Sequence, residues 1–388
     1  MPPTNPRNSQ LSLNLQPFAA RQSFATRRRF LQASAAAVSG VVLSNCARNL
    51  TEPKLNGDSS PGSSSKTLRV YGWVNYTDES LLKDFETKTG IKVTVDTYDS
   101  NEAMLAKMQA GGGNAYSIIY PTDYMVTEMM DLKMLVALDQ SRLKGLEGLK
   151  EKWQNPIYDR GNSHSVPVAW GTTGLTYDPE KFGGTIKGWA DLWDSQNSLT
   201  RRVTLINDVR EVMGATLLAL GHSINTENPK HIKEAYDKLV QFKPAIAAFL
   251  TNGWEEQLAS GDVLVSMAYS TDALTLMSEQ PKLRYVIPET GSSLWTDTIA
   301  IPKTAPNVDA AYEWINYMLS AETAAKIVER LRFATPNQIA FDKLPAKVKG
   351  NLNLFPSTAM IDQCEGIAPV APKISETFNR YWTQLTSA

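Results

Sequence analysis

The chain has 388 residues, 39 Lys+Arg against 40 Asp+Glu, and 42% hydrophobic residues. That length and composition allow a sizeable core and leave room for two domains. The formal net charge of -1 argues against a nucleic-acid binder, which shows a basic excess.

The average hides an asymmetry. Residues 1–45 carry five Arg and no Asp or Glu, so the chain from position 46 onward stands at -6. Thr26-Arg27-Arg28-Arg29-Phe30-Leu31-Gln32 resembles a twin-arginine export signal, with Gln32 in place of the usual Lys. The weakly apolar stretch from Phe30 to Leu43 is little more than half the ~20 residues of a bilayer span, so it reads as a signal-peptide core. Leu43-Ser44-Asn45-Cys46 resembles a bacterial lipobox, in which the signal is cut before a Cys that then carries lipid. Asn45 departs from the usual Gly or Ala, and a plain cleaved signal with an incidental Cys46 is the alternative. The only other cysteine is Cys364, read as a buried inert thiol, so no disulfide framework or zinc spacing is present. Residues 46–66, with Ser59-Ser60-Pro61-Gly62-Ser63-Ser64-Ser65, read as the lipid-anchor Cys and a flexible tether.

The folded body begins near Thr67. Leu68–Trp73 alternates like a strand. A helical pattern follows from Thr77 or Asp78 through Leu81, Leu82 and Phe85 to a stop at Gly90. Ile91, Val93 and Val95 alternate with polar residues in a second strand. Ser100-Asn101-Glu102 opens a helix closed by Gly111-Gly112-Gly113, and Tyr116–Tyr120 is a third strand. This order predicts parallel βαβ units. Further on, the pattern predicts strands at 203–206, 263–267 and 298–301. Helices are predicted at 208–220, 229–249, 307–319, 321–331 and 373–386. The whole reads as α/β with two lobes and a ligand site at the strand carboxyl ends.

No phosphate loop, dinucleotide fingerprint, nucleophile elbow or H-E-x-x-H is present, and no cofactor is implied. His164, His222 and His231 read as solvated loop or helix-end side chains. Several strand ends instead carry aromatics beside polar or acidic groups. These are Trp73-Val74-Asn75-Tyr76, Pro121-Thr122-Asp123-Tyr124, Asn207-Asp208-Val209-Arg210-Glu211, Tyr269-Ser270-Thr271-Asp272 and Trp295-Thr296-Asp297. Trp295 and Asp297 are two apart on a strand and share a face. Each feature has a plain reading as well. Asp208-x-x-Glu211 is a capping pattern, Asn75 can cap the helix after it, and Tyr269 and Trp295 can be core aromatics. Trp189 and Trp193 are assigned to core. Glu102 is read as a first-turn helix charge.

In this order the motifs resemble the periplasmic polyamine-binding proteins, the spermidine/putrescine receptors of ABC importers. The resemblance runs from about Leu68 to the C-terminus. Its most telling stretches are Gly90-Ile91-Lys92-Val93 with Tyr98–Glu102, Trp189-Ala190-Asp191-Leu192-Trp193, Asp208–Glu211, Trp295–Asp297 with Ala300-Ile301-Pro302, and Thr335-Pro336-Asn337. The resemblance implies a type II periplasmic-binding-protein fold, with mixed sheets flanked by helices and ligand in the interlobe cleft. Lobe 1 would hold residues 67–171 plus 297–341, and lobe 2 residues 172–296 plus 342–388. It implies ligand contacts at Trp73, Tyr76, Thr122, Tyr124, Asp208, Glu211, Tyr269, Trp295, Asp297, Phe333 and Gln363. Asp297 would hold an internal amine, and Asp208 with Glu211 a terminal one. Three positions depart from the pattern. Asn75 stands where spermidine-preferring relatives have Glu, with Asp123 an acidic residue nearby in sequence. Tyr269 replaces Trp, and Phe333 replaces Tyr.

The expected protein is thus an exported solute-binding receptor rather than an enzyme. It would be a monomer held in the periplasm by a lipidated Cys46, with putrescine or spermidine as ligand. Its partners would be an inner-membrane ABC permease and the twin-arginine export machinery. Readings left open by the residues are a receptor for another organic cation, a ferric-iron binder, and a cleft enzyme using Asp208 and Glu211 as acid and base.

Overall fold

The computed structural model describes residues 66–74 and 76–387. The leader, Cys46, the tether as far as residue 65, and Asn75 lie outside the described residues.

The described residues form nine strands: β1 (Thr67–Trp73), β2 (Lys92–Tyr98), β3 (Ile118–Ile119), β4 (Ser165–Tyr177), β5 (Val203–Leu205), β6 (Ile246–Phe249), β7 (Val265–Tyr269), β8 (Arg284–Val286) and β9 (Leu294–Ala300). Their hydrogen-bonded order is β2-β1-β3-β9-β4-β7-β5-β6, with β8 against β4. β1 pairs in parallel with β2 and β3, and β5 in parallel with β6 and β7, as the βαβ reading predicts. Every pairing that involves β4 or β9 is antiparallel. The sheet is therefore mixed.

β4 joins the two parallel groups. Its first half, from Ser165 to Thr172, pairs with β9. Its second half, from Thr173 to Tyr177, pairs with β7, and Leu175–Tyr177 also with β8. One group packs Leu68, Val70, Phe85, Ile118 and Trp314 out of water, with the rings of Phe85 and Trp314 4.9 Å apart edge to face. The other packs Val203, Leu205, Val212, Leu217, Ile232, Phe242 and Val265. Full burial of each such side chain contributes roughly 1.5–3 kcal/mol.

Local signals set most helix ends. Asp78 caps the helix Glu79–Thr89 by accepting the Leu81 N–H at 2.7 Å. That satisfies an otherwise orphaned donor, and Asn75 is not needed for it. Gly90 ends the helix at φ +70°, a left-handed conformation that suits glycine. Two expectations fail for clear reasons. The helix predicted over 229–249 stops at Phe242, because Pro244 has no N–H to donate; Ile246–Phe249 then pairs with β5 as β6. The strand predicted to begin at Thr298 begins at Leu294, so Trp295 and Asp297 lie within β9 rather than before it.

Candidate functional site

β9 carries the centre of the site. Alternation sends Trp295 and Asp297 toward the cleft. The intervening Thr296 accepts a hydrogen bond from Trp153 Nε1 at 3.2 Å, and Thr298 Oγ1 donates to the Pro121 carbonyl at 2.8 Å. The strand is thereby anchored from behind.

Asp297 is 6% exposed. Its Oδ2 accepts a hydrogen bond from the Tyr76 hydroxyl, and its Oδ1 has no partner among the described residues. Burial pushes the Asp297 carboxyl up to about 7 against the opposing pull of the Tyr76 bond. The indole Nε1 of Trp295 is likewise buried without a partner. Aromatic rings enclose the pair. Tyr76 lies 4.3 Å from Phe333, and Tyr269 meets Trp295 edge to face at 6.0 Å. Trp73 sits 4.6 Å from Tyr98 and donates through Nε1 to the Tyr120 carbonyl at 2.9 Å.

A second acidic group comes from the start of the helix Val209–Ala219. Asp208 is its N-cap, and Oδ1 accepts the N–H groups of Arg210 at 2.8 Å and Glu211 at 3.0 Å. The capping reading holds for Asp208, which also lines the cavity. Glu211 does not close a reciprocal cap. It is 3% exposed and accepts from Ser293 Oγ at 2.6 Å. Burial, then the charge of Asp208, raise its carboxyl to about 8. Asp123 is also buried. It accepts the Tyr124 N–H at 2.8 Å, and burial lifts its carboxyl well above the usual range, with Asp297 and Glu211 adding to the effect. Thr122 forms an isolated bridge with Asp297.

Asn101 ties this region together. Its Nδ2 donates to Thr122 Oγ1 at 2.7 Å and to the Tyr124 hydroxyl at 3.0 Å. Tyr124 in turn donates to Glu102 at 3.1 Å. Glu102 does occupy the first turn of its helix, but it also belongs to this network.

These groups open on one cavity of about 530 Å3, within the range of small-ligand sites. Nine carboxylates line it, at Asp78, Asp99, Asp123, Asp208, Glu211, Glu255, Asp272, Glu279 and Asp297, against the single cation of Arg330. Seven aromatic residues share the lining. Such a wall selects for a cation with apolar surface between or around its charges. No group of three or more metal-ligating side chains occurs among the described residues.

Of the predicted site residues, Trp73, Tyr76, Thr122, Asp123, Tyr124, Asp208, Glu211, Tyr269, Trp295, Asp297 and Phe333 line this cavity. Gln363 does not. It is exposed, its N–H is bound to the Met360 carbonyl, and its own carbonyl lies against Gly291. Ile367, four residues on, reaches the cavity from that segment instead. Tyr98, Asn101, Glu255, Asp272 and Glu279 were not among the predicted contacts. Tyr98 and Asn101 do fall in one of the motif stretches, which was the available signal. Trp189 is buried as assigned, and Cys364 is a free, buried thiol.

Gly171 on β4 is part of the site's construction. A Cβ there would collide with the six-membered ring of Trp295 and stand 2.6 Å from Ser270 Oγ. Gly171→Ala is expected to push the indole from its seat, destabilise the fold by about 1–3 kcal/mol and weaken ligand binding. Chemical denaturation and calorimetry check both parts. Unchanged stability and affinity would show that the indole position is not fixed by this contact.

The sequence matches the family described as bacterial extracellular solute-binding protein over residues 80–355. It is 34% identical over 324 residues to a protein of Haemophilus influenzae named spermidine/putrescine-binding periplasmic protein 1, covering 83% of this chain and 89% of that one. Two solved structures are also similar. One is a putative spermidine/putrescine ABC transporter from Listeria monocytogenes, with a TM-score of 0.77, 36% identity and coverage of 83% of this chain and 99% of that one. The other is a spermidine/putrescine ABC transporter substrate-binding protein from Streptococcus pneumoniae, with a TM-score of 0.73, 33% identity and coverage of 83% and 98%.

Proposed function

The chain belongs to the family of bacterial extracellular solute-binding proteins, and from that premise we propose that it is the polyamine receptor of an ABC importer. It captures putrescine, spermidine or a close analogue in the cleft and presents it to an inner-membrane permease. It performs no chemistry on the ligand. The observation that carries this reading is the Asp297 carboxylate, buried among Trp295, Tyr76 and Phe333, with Oδ1 unpartnered and facing a cavity of nine carboxylates.

A polyamine is a chain of methylenes with ammonium groups at intervals. Asp297 takes an internal ammonium through Oδ1 while Tyr76 holds Oδ2 in place. Asp208 and Glu211 take a terminal ammonium. The rings of Trp73, Tyr269, Trp295 and Phe333 cover the methylenes and add cation–π attraction of roughly 0.5–2 kcal/mol each. Thr122, Asp123 and Tyr124 complete the wall, and Asn75, beside Tyr76 in sequence, completes the set of contacts in this reading.

The lobes are taken as residues 67–171 plus 297–341 and 172–296 plus 342–388. β4 and β9 run between the two groups of parallel strands, so a hinge there would open and close the cleft. The twin-arginine leader would direct export. Cys46 would carry the lipid that anchors the mature receptor on the periplasmic side, where it acts as a monomer.

A thermal-shift panel tests the reading. Putrescine, cadaverine, spermidine and spermine are compared with agmatine and basic amino acids. At a hundredfold excess over Kd, a true ligand stabilises by about 2.7 kcal/mol, a rise on the order of 5 °C in Tm. A polyamine is expected to give it. No response to any polyamine at millimolar concentration contradicts the reading.

A further inference from the structure

We infer that Arg210 is a positioning residue for polyamine capture. From behind the acidic end of the cleft it fastens the segment 365–368 and sets a fixed positive charge beside Asp208 and Glu211. The inference rests on the polyamine reading and adds to it a residue that does not itself line the cavity.

Arg210 stands in the first turn of the helix Val209–Ala219, between the cap Asp208 and Glu211. A helix start favours anions, so the helix dipole does not account for a cation there. Arg210 is half-buried, and its guanidinium carbon lies 5.2 Å from the centre of the Phe378 ring. Its Nη2 donates to Asn225 Oδ1 and to the Ala368 carbonyl, both at 3.1 Å, and lies 3.5 Å from the Ile224 carbonyl. Its Nε is buried without a partner among the described residues. Drawing a guanidinium out of water with one N–H unpaired is costly, and the group cannot shed its charge to escape that cost.

The groups that Arg210 touches form a clamp. Asn225 donates through Nδ2 to the Gly366 carbonyl at 2.8 Å, and its Oδ1 accepts the Ala368 N–H at 2.8 Å. Ser223 Oγ donates to Glu365 at 2.6 Å, and Glu227 accepts the Ala371 N–H at 2.8 Å. The clamped segment is also tied to the start of β9, where the Leu294 N–H donates to the Glu365 carbonyl at 2.8 Å. Ile367, inside this segment, lines the cavity. Arg210 therefore joins the helix that carries Asp208 and Glu211 to the segment that carries Ile367.

The titratable groups facing Arg210 are Asp208 and Glu211 on its own helix, with Asp123 and Tyr124 from the helix Asp123–Asp131. On the segments it touches, Glu227 and Glu365 are engaged in the clamp, and His222 is bonded to Glu234 at 3.0 Å. On the helix Pro372–Ser387, which brings Phe378, the charged Lys373, Glu376 and Arg380 are exposed. Burial raises the carboxyls of both Asp208 and Glu211. The cap hydrogen bonds at Asp208, the Ser293 bond at Glu211 and the charge of Arg210 at both pull them back. Without that charge the two carboxyls hold their protons more tightly, and an arriving ammonium must displace them.

Calorimetric titration of the mature wild-type protein, Arg210→Gln and Arg210→Lys with putrescine and spermidine, at about pH 6.5 and about pH 9, tests this on both sides of the Glu211 carboxyl. The readout is each variant's loss of affinity relative to wild type at the same pH, so the ionisation of the amines cancels. Arg210→Gln removes the charge. Its loss is expected to be at least about tenfold greater at the lower pH, the effect of raising one carboxyl by about one unit. Arg210→Lys keeps the charge but cannot span Asn225 and Ala368 together. It is expected to lose about threefold to tenfold, equally at both pH values. An equal loss at both pH values in Arg210→Gln marks Arg210 as merely structural and overturns the inference, as does no loss. If Arg210→Gln does not fold, Arg210→Lys decides: unaltered affinity, or a loss that grows as pH falls, overturns it. Wild-type protein that binds neither amine removes the parent reading instead.

Discussion

Asp297→Asn is expected to weaken polyamine binding by about thirtyfold or more, because truncating one partner of a buried charge pair costs about 2–5 kcal/mol. The substitution keeps the shape of the side chain, and the Asn oxygen can still accept the Tyr76 hydroxyl. What is lost is the negative charge at Oδ1, the atom without a partner among the described residues. The ligand-free protein should respond in the opposite direction. The Asp297 carboxyl stands at about 7 in the fold, raised by burial from 3.8. For such a group the favourable contribution is present below the unfolded pKa and is lost as pH rises through the folded one. At pH 8 the ionised carboxylate therefore opposes folding, by on the order of 4 kcal/mol at most. Asn has no such penalty. Asp297→Asn should melt higher than wild type at pH 8 while binding far more weakly, as read by thermal melts and calorimetry on the same samples. Unchanged affinity would remove Asp297 from the site, and a lower Tm with lower affinity would mark it as structural.

Polyamine binding near pH 7 is expected to release protons, and affinity is expected to climb as pH rises from 6 to 8. In the empty cleft the carboxyls of Asp297 and Glu211 stand at about 7 and about 8. Both are substantially protonated at neutral pH. An ammonium stabilises the ionised forms and pulls both values down, so protons leave as ligand enters. Each fully coupled proton contributes up to about tenfold in affinity per pH unit. Above pH 8 the gain levels off, until the amines themselves lose protons near the lysine value of roughly 10.4. Binding enthalpies measured in two buffers of different ionisation heat give the proton count directly. Release of about one to two protons at pH 7 is expected on this linkage. Zero release, or uptake, would mean that these carboxyls do not meet the ligand's charges.

Much of the site was legible in sequence because its chemistry repeats at short spacing. Trp295 and Asp297 alternate on one strand, and Asp208 begins a helix whose third residue is Glu211. Both patterns survive folding unchanged because they depend on local geometry alone. For Asp208 the cap and a place in the cavity wall are compatible, since a carboxylate has two oxygens and the cap uses Oδ1 for both N–H groups.

Other parts were hidden for physical reasons. β4 is a 13-residue strand, but it is buried along nearly its whole length, bulged between Pro167 and Ala169, and interrupted by Gly171 and Gly174. It shows neither alternation nor a clean apolar run, so the strand that joins the two halves gave no signal. The segment after Met267 showed a strand-end motif, Tyr269-Ser270-Thr271-Asp272, but no helical pattern. It is the end of β7 followed at once by a helix, and that helix carries Asp272 and Glu279 to the cavity. The approach of Glu255 depends on packing between elements distant from β9 in sequence. Gln363, expected at the site from the resemblance alone, does not line the cavity, and its carbonyl lies against Gly291.

The most direct test is a crystal structure of the mature protein grown with spermidine. An internal nitrogen of the ligand is expected about 2.7–2.9 Å from Asp297 Oδ1, the distance of a charge-assisted hydrogen bond. The methylene chain should lie against the Trp295 ring, with a terminal nitrogen at Asp208 and Glu211. A cleft that stays empty at saturating spermidine, or a ligand bound away from Asp297, would contradict the account.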